Sequence, residues 1–162
     1  MPAGDITHPV PDLTGYITEG QIVLSRDLHG RDVYPPIDVL ASLSRLMRRG
    51  AGAGRTREDH LAIAAQLLAL LARARRAQEL AALIGTDALS VTERRYLNLA
   101  EQFETQFVDQ APHEAHDLVA TLDRAWEVAA TVPVRELTMV STDQINTHLP
   151  NSRASAQPED MP

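Results

Sequence analysis

The stretch SVTERRYLNLAEQFETQF, Ser90–Phe107, is the clearest indication of the fold. Ser90 followed three residues later by Glu93 forms a capping box, which starts a helix by satisfying backbone N–H groups that have no partner inside it. Behind the box, aromatic and small residues recur at spacings of four, three and four, at Tyr96, Ala100, Phe103 and Phe107. This spacing is typical of one helical face, so we expect these side chains to form core rather than a cofactor-binding strip.

Further helices are predicted on both sides of this stretch. TRED at Thr56–Asp59 has the capping-box pattern and precedes a run with Leu61, Leu67, Leu68 and Leu71 on or beside one face. A third helix near Glu114–Ala130 aligns Leu118, Leu122, Ala125 and Ala129, with Val119 and Trp126 alongside. STDQ at Ser141–Gln144 predicts a short fourth helix. These amphipathic segments predict a small antiparallel helical bundle.

Residues 1–36 differ from the rest because they are rich in Pro and Gly. They contain one clear strand, GQIVLSR at Gly20–Arg26, and a weaker one, TGYI at Thr14–Ile17. The first run is continuously apolar, which predicts a strand buried on both faces of a parallel sheet. No comparable neighbour strand is evident, so we expect most of that sheet to be missing.

The composition excludes several classes of site. The 162 residues include no Cys, and all fifteen basic residues are Arg. Cysteine nucleophiles, thiolate metal sites, a P-loop lysine and a Schiff-base lysine are therefore absent from this sequence. The net charge of −7 argues against a nucleic-acid or anionic-membrane partner. No apolar run approaches the roughly 18 residues that span a bilayer, so we expect a soluble, cytoplasmic protein.

GAGAGRT at Gly50–Thr56 resembles a phosphate-binding loop but does not meet its requirements. Gly50 and Gly54 enclose three residues where a P-loop has four, and Arg55 replaces the lysine. A joint between the two parts of the chain is the better interpretation. HEAHD, with His113 and His116, is similarly expected to be a solvated helical turn, and a metal enzyme built on these histidines is only a remote alternative.

Arg45 stands out in YPPIDVLASLSRLM, Tyr34–Met47, because its neighbours are mostly apolar. A guanidinium is always charged, so in such company it needs an anion: a carboxylate, a chain terminus or a phosphate. It could pair structurally with Asp38 or with a helix C-terminus. Residue physics alone leaves these alternatives open.

Four blocks of this sequence resemble the B subunit of the vacuolar and archaeal-type (V/A-type) rotary ATPases, the beta or non-catalytic regulatory chain. The blocks are DITHPVPDLTGYITEGQIVLSRDLH at Asp5–His29, YPPIDVLASLSRLM at Tyr34–Met47, GRTREDH at Gly54–His60 and ERRYLNLAEQFE at Glu93–Glu104. The match runs in order from about Asp5 to Leu149 and covers only the C-terminal portion of that subunit. The family usually has Pro where this chain has Ala41, a departure that removes a fixed φ.

The resemblance implies a mainly α fold, in which a C-terminal helical bundle follows a remnant, of one or two strands, of an α/β nucleotide-binding domain. The implied divisions are the nucleotide-binding remnant at residues 1–49, a Gly-rich joint at 50–55 and the helical domain at 56–149. The tail at 150–162 has almost nothing to bury and is expected to be disordered.

The resemblance also implies a function. Arg45 aligns with the arginine finger that reaches in trans to ATP on the neighbouring catalytic A subunit, and Ser44 is a second nucleotide-binding candidate. Mg-ATP or Mg-ADP would lie at that interface, while the fragment alone would hold no cofactor or metal and would be inactive. Partners would be the A subunit and central-stalk subunits, in a cytoplasmic complex peripheral to the membrane that couples ATP synthesis or hydrolysis to proton or sodium transport. Nucleic-acid binding and membrane insertion are not expected. The alternative is a free-standing helical interaction module without a motor role.

Overall fold

The computed structural model describes residues 13–15 and 17–149. The fold is mainly α with a two-stranded antiparallel sheet, in agreement with the predicted class. Its strands and α-helices are β1 (Gly20–Leu24), α1 (Arg26–Gly30), β2 (Ile37–Ser44), α2 (Met47–Gly50), α3 (His60–Ile84), α4 (Val91–Gln102), α5 (Leu118–Ala129) and α6 (Thr142–His148). Short 3₁₀ turns at Thr86–Ala88 and Val134–Glu136 lie between the helices.

Two of the three predicted capping boxes are confirmed. At the start of α4, Glu93 N donates to the Ser90 hydroxyl at 3.3 Å, and Ser90 N donates to the Glu93 carboxylate at 2.7 Å. Ser141 and Gln144 make the same reciprocal pair before α6, at 3.2 and 2.9 Å. Each box satisfies two N–H groups within a few residues, so its signal is entirely local.

The third box, at Thr56–Asp59, is wrong. Helix α3 begins at His60, and the Asp59 side chain makes no capping hydrogen bond. The Thr56 hydroxyl instead accepts a hydrogen bond from Gly52 N at 2.7 Å. The Thr56 hydroxyl also lies 3.1 Å from His60 Nδ1, so it contacts a side chain at the start of α3 rather than capping a backbone N–H of the helix.

Helix α3 supplies much of the core, although its buried face differs in part from the prediction. Leu67 and Leu71 are buried as expected, whereas Leu68 is 41% exposed. The face is completed by residues that the leucine pattern did not indicate, Ile63, Gln66, Leu70, Ala74 and Ala77. The Gln66 amide is satisfied inside the core, because it donates to Glu136 O at 3.1 Å and accepts from Met139 N at 2.7 Å.

Helices α4 and α5 pack on α3 and close this core. Tyr96 and Phe103 are buried as predicted, and Phe107 packs at the edge of the core with its ring stacked on Phe103 at 5.0 Å. Phe103–Val108 forms a π-helix that continues α4. In α5 the predicted line is buried at Leu122, Ala125, Trp126 and Ala129, whereas Leu118 and Val119 are exposed at its first turn.

The β1 strand is present, but its predicted setting is wrong. It pairs antiparallel with β2, which lies in Tyr34–Met47 and supplies the neighbour that the sequence did not reveal. The strand is also not buried on both faces, because Ile22 is 73% exposed and Leu24 65%. The predicted weak strand at Thr14–Ile17 is also wrong where it is described, since residues 13–15 and 17 are helical. The predicted disordered tail at residues 150–162 lies outside the described residues.

Strands β1 and β2 with the segment between them, residues 20–44, form a hairpin, and polar contacts hold this hairpin to the helical part that begins with α3. Arg31 donates through both terminal nitrogens to the Glu104 carboxylate, at 2.6 and 3.0 Å. Tyr34 N donates to the Asp109 carboxylate at 3.1 Å, and Gln110 N donates to Tyr34 O at 2.7 Å.

A cleft of about 430 Å³ lies between the hairpin and α3. None of the helices in the described residues is long and apolar enough to cross a membrane.

Candidate functional site

Arg45 directly follows the last residue of β2 and is exposed. Its backbone N donates to Glu19 O at 2.8 Å, which extends the strand pairing by one residue. Its guanidinium donates through Nη2 to Gly15 O at 2.9 Å. Arg45 therefore stands on a hydrogen-bonded strand end, with an exposed cationic side chain.

Gly20 allows the two strands to approach closely beneath Arg45. It pairs with Ser44, and a Cβ added at Gly20 would lie 2.8 Å from Leu43 O and 3.2 Å from Ser44 Cα. Both of these atoms are backbone, so a larger residue would force the strands apart. The strand end that carries Arg45 depends on having glycine at this position.

The sequence offers two structural partners for Arg45, the Asp38 carboxylate and a helix C-terminus. The Asp38 carboxylate accepts a hydrogen bond from Ala41 N at 3.1 Å. The Arg45 guanidinium donates to the carbonyl of Gly15, a residue in helical conformation. Ser44, the second candidate, is the last residue of β2 and is exposed.

Other arginines surround this strand end in the sequence. Arg48 and Arg49 lie in the last turn of the short helix α2, and Arg55 follows in the next loop. All three are exposed. Although the whole chain is acidic, this segment is locally cationic and would attract an anion approaching Arg45.

The glycine-rich segment after α2 forms turns. Gly52 and Gly54 have positive φ angles of 101° and 80°, a region that glycine adopts at little cost. Gly52 N donates to the Thr56 hydroxyl, and Arg55 N and Thr56 N donate back to Gly52 O at 3.0 and 2.9 Å. The segment before these glycines is helical rather than a strand, which is not the geometry of a P-loop.

The HEAHD segment is not helical, which corrects the predicted helical turn. It precedes α5, whose N-cap is Asp117, and the Asp117 carboxylate accepts from Ala120 N at 2.8 Å. His116 Nε2 lies 2.6 Å from Glu114 Oε1, with the His116 side chain largely buried. Within residues 13–15 and 17–149, no group of three or more His, Asp or Glu side chains is placed to hold a metal ion.

A buried carboxylate at Asp59 was not indicated by any sequence pattern. Its side chain is 3% exposed and accepts from Arg57 at 2.6 and 2.8 Å and from Trp126 Nε1 at 2.6 Å. His148 stacks on Trp126, with its Nε2 3.4 Å from Asp59. Arg57 also pairs with Asp123 on α5. The Asp59 cluster, formed by these five residues, joins the start of α3 to α5 and α6.

The electrostatics of the Asp59 cluster favour the ionised carboxylate. Burial acts to raise the pKa of Asp59, but hydrogen bonds from Arg57 and Trp126, with the charges of Arg57 and His148, outweigh it and hold that pKa below its usual value. The hydrogen bond to Asp59 raises the pKa of Arg57. This satisfied ionic cluster is structural support for the helical part rather than a set of open ligands.

Both parts of the chain match models of known protein families. Residues 49–149 match the family model described as the C-terminal domain of V and A type ATP synthase. Residues 1–44 match the model described as the ATP synthase alpha/beta family, nucleotide-binding domain.

Individual relatives agree with these models. The chain is 54% identical over 153 residues to the A-type ATP synthase B subunit of Sulfolobus acidocaldarius, covering 94% of this chain and 33% of that protein. With the A-type ATP synthase B subunit of Methanopyrus kandleri it is 51% identical over 160 residues, covering 99% of this chain and 16% of that protein. The chain thus spans a third or less of the length of these relatives.

A solved structure shows the same fold. The ATP synthase subunit NeqB of Nanoarchaeum equitans superposes with a TM-score of 0.71 at 42% sequence identity, covering 79% of this chain and 31% of that one. The C-terminal domain model alone matches residues 49–149, which is more than half of this chain. The protein therefore belongs to the V- and A-type ATP synthase family, and its relatives are B subunits of A-type ATP synthases.

Proposed function

We propose that this chain acts as the C-terminal part of a non-catalytic, regulatory B subunit and places Arg45 at the ATP-binding interface with a catalytic A subunit. The observation that carries the proposal is the 54% identity to a B subunit, which extends over 94% of this chain and so includes both the hairpin and the helices. The exposed position of Arg45 at the end of β2 agrees with a residue that contacts another subunit.

The chemistry of Arg45 suits this role. Phosphoryl transfer gathers negative charge on the equatorial oxygens of the γ-phosphate, and the nucleotide there would be Mg-ATP or Mg-ADP held by the A subunit. A guanidinium is planar and permanently charged, and it can donate two parallel hydrogen bonds to such oxygens. Ser44, the neighbouring residue, is proposed as a further nucleotide contact. The exchange of the Gly15 carbonyl for a phosphate oxygen replaces a neutral acceptor with a charged one, which makes a stronger hydrogen bond.

The remaining assignments follow from the same role. The partners are the A subunit and the central-stalk subunits of a complex that is cytoplasmic and peripheral to the membrane. Within that complex, the chain takes part in coupling ATP synthesis or hydrolysis to proton or sodium transport. No nucleic-acid or membrane-inserting role is proposed.

Assembly tests the proposal directly. In a chimera, this chain replaces the C-terminal third of the Sulfolobus acidocaldarius B subunit, a share set by the 33% coverage of that protein. The chimera is expected to co-purify with that organism's A subunit and to support ATP hydrolysis. The matched control carries the corresponding third of the Aeropyrum pernix B subunit, which is 51% identical to this chain. If the control assembles and the chimera does not, the proposed function is wrong and a free-standing interaction module is favoured.

A further inference from the structure

We propose that Asp38 and Ser42 are positioning residues for Arg45, because they close a bulge in β2 that sets where the Arg45 side chain leaves the strand. The inference rests on the proposed function of Arg45. Neither Asp38 nor Ser42 would touch the nucleotide. Both would hold in place Arg45, the residue that would touch it.

The bulge is visible in the register of the two strands. Gln21 pairs with Leu43 and Val23 pairs with Asp38, so that β1 has one residue between these pairs where β2 has four, residues 39–42. Extra residues in one strand bend it and increase its twist, and such bulges are frequent beside active sites, where they redirect a side chain. Arg45 lies two residues beyond the Leu43 pair that ends this bulge.

Ser42 closes the bulge from the inside. Its hydroxyl donates to Asp38 O at 2.6 Å and accepts from Val23 N at 2.9 Å. The second contact replaces a backbone carbonyl as the partner of a strand N–H, so the hydroxyl acts as part of the sheet. Without the Ser42 hydroxyl, Val23 N would lose its hydrogen-bond partner in the bulge of β2.

The Asp38 side chain restrains the same bulge at one of its inner residues, Ala41. Its Oδ1 accepts from Ala41 N at 3.1 Å. A proline at position 41 would have no N–H to donate and would fix its own φ. A proline ring would make position 41 rigid through its covalent structure. In this chain, the hydrogen bond from Ala41 N to the Asp38 carboxylate restrains the same position instead.

The consequence for Arg45 is geometric. Beyond the bulge, close strand pairing at Gly20 and Ser44 and the bond from Arg45 N to Glu19 O transmit any change of register directly to Arg45. Catalytic geometry is sensitive to small displacements, since a misplacement of about 1 Å can cost about 100-fold in rate. We therefore expect loss of the bulge contacts to reduce turnover while leaving nucleotide affinity, which is supplied by the A subunit, nearly unchanged.

The test uses the assembled chimera and measures kcat and KM for ATP hydrolysis. Asp38→Ala should lower kcat about 10- to 100-fold with little change in KM. Asp38→Asn keeps an oxygen acceptor and should retain nearly full kcat. In an Ala41→Pro background there is no N–H at position 41, so Asp38→Ala should have a much smaller effect. Ser42→Ala should also lower kcat, and Ser42→Thr, which restores a hydroxyl, should recover it.

The outcomes separate this inference from the proposed function. If Asp38→Ala costs as much in the Ala41→Pro background as without it, Asp38 does not act through Ala41, and the inference is overturned. The inference is also overturned if neither Asp38→Ala nor Ser42→Ala lowers kcat while Arg45→Lys does. If Arg45→Lys itself leaves kcat unchanged, the proposed function fails and the positioning role fails with it.

Discussion

Gly20 is the residue on which the strand end beneath Arg45 depends most. Gly20→Ala would place a Cβ 2.8 Å from Leu43 O, a contact that can be relieved only by moving backbone. We expect the change to destabilise the hairpin by about 1–3 kcal/mol and to speed hydrogen exchange at the Arg45 amide. The matched control is Gly30→Ala, because an added Cβ there meets nothing within 4 Å. Equal exchange at Arg45 in both variants would show that the strands tolerate the side chain.

At the residue scale, the sequence indicated Arg45 but not its supports. A lone arginine among apolar residues can be recognised from the sequence itself, and the family resemblance implies a role for it. Gly20, Asp38 and Ser42 become informative only when β1 and β2 are paired in their observed register, which joins residues that are distant in the sequence. The signal that could have drawn attention to Asp38 and Ser42 is the bulge, and no local pattern reports it.

The start of α3 depends on the side chain of Asp59. Asp59→Ala would leave Arg57 and the Trp126 N–H without their buried acceptor. The Trp126 N–H loses its buried acceptor, whereas Arg57 is partly exposed and keeps its pair with Asp123, so we expect a loss of about 1–3 kcal/mol in the free energy of unfolding by urea. Glu58→Ala changes an exposed neighbour and should cost less than about 0.5 kcal/mol. A similar, small loss for both variants would contradict the structural role of the Asp59 cluster.

The Asp59 cluster also predicts a pH dependence. The pKa of Asp59 is lower in the folded chain than its usual value, so the unfolded state takes up a proton first as the pH falls. The stability that Asp59 contributes is fully present above about pH 4, its unfolded pKa, and is lost as the pH falls through its folded pKa. The stability difference between the unmodified chain and Asp59→Asn, measured by urea unfolding from neutral to acidic pH, should therefore shrink below about pH 4. A difference that stays constant over that range would contradict the prediction.

At the element scale, the helices were predictable where their start signals were local. Ser90 with Glu93 and Ser141 with Gln144 satisfy each other within one turn, and both boxes are confirmed. The Thr56–Asp59 pattern is similar but has Asp at its fourth position, and Trp126, 67 residues away, donates to the Asp59 carboxylate. A buried tertiary partner therefore outcompeted a local cap, and no sequence window of helix length contains both residues.

For the whole molecule, we expect stability to be uneven. The core cluster lies in the helical part, and only Val33 and Val39 of the described hairpin region pack against it, partly buried. Hydrogen exchange of the full chain should show strong protection in α3 and weak protection at Val23 and Leu24 in β1. Equal protection of β1 and α3 would contradict this expectation and show that the hairpin unfolds only with the helices.

The sequence predicted the helical bundle as a whole because amphipathic periodicity and caps recur throughout residues 56–149. It misjudged the hairpin, because a continuous apolar run is typical of a buried parallel strand and does not reveal an antiparallel partner. β2 was also concealed by the four residues of the bulge, which interrupt the alternation expected of a strand.

The most direct test of the account is the rate of ATP hydrolysis by the assembled chimera carrying Arg45→Lys. Lysine keeps the charge but loses the planar pair of donors, so we expect the complex to assemble, to bind nucleotide and to turn over about 10³-fold or more slowly. Arg48→Lys, at an exposed arginine three residues further on, is the matched control and should leave the rate nearly unchanged. An Arg45→Lys complex that hydrolyses ATP as fast as the Arg48→Lys control would contradict the account and make Arg45 a structural residue.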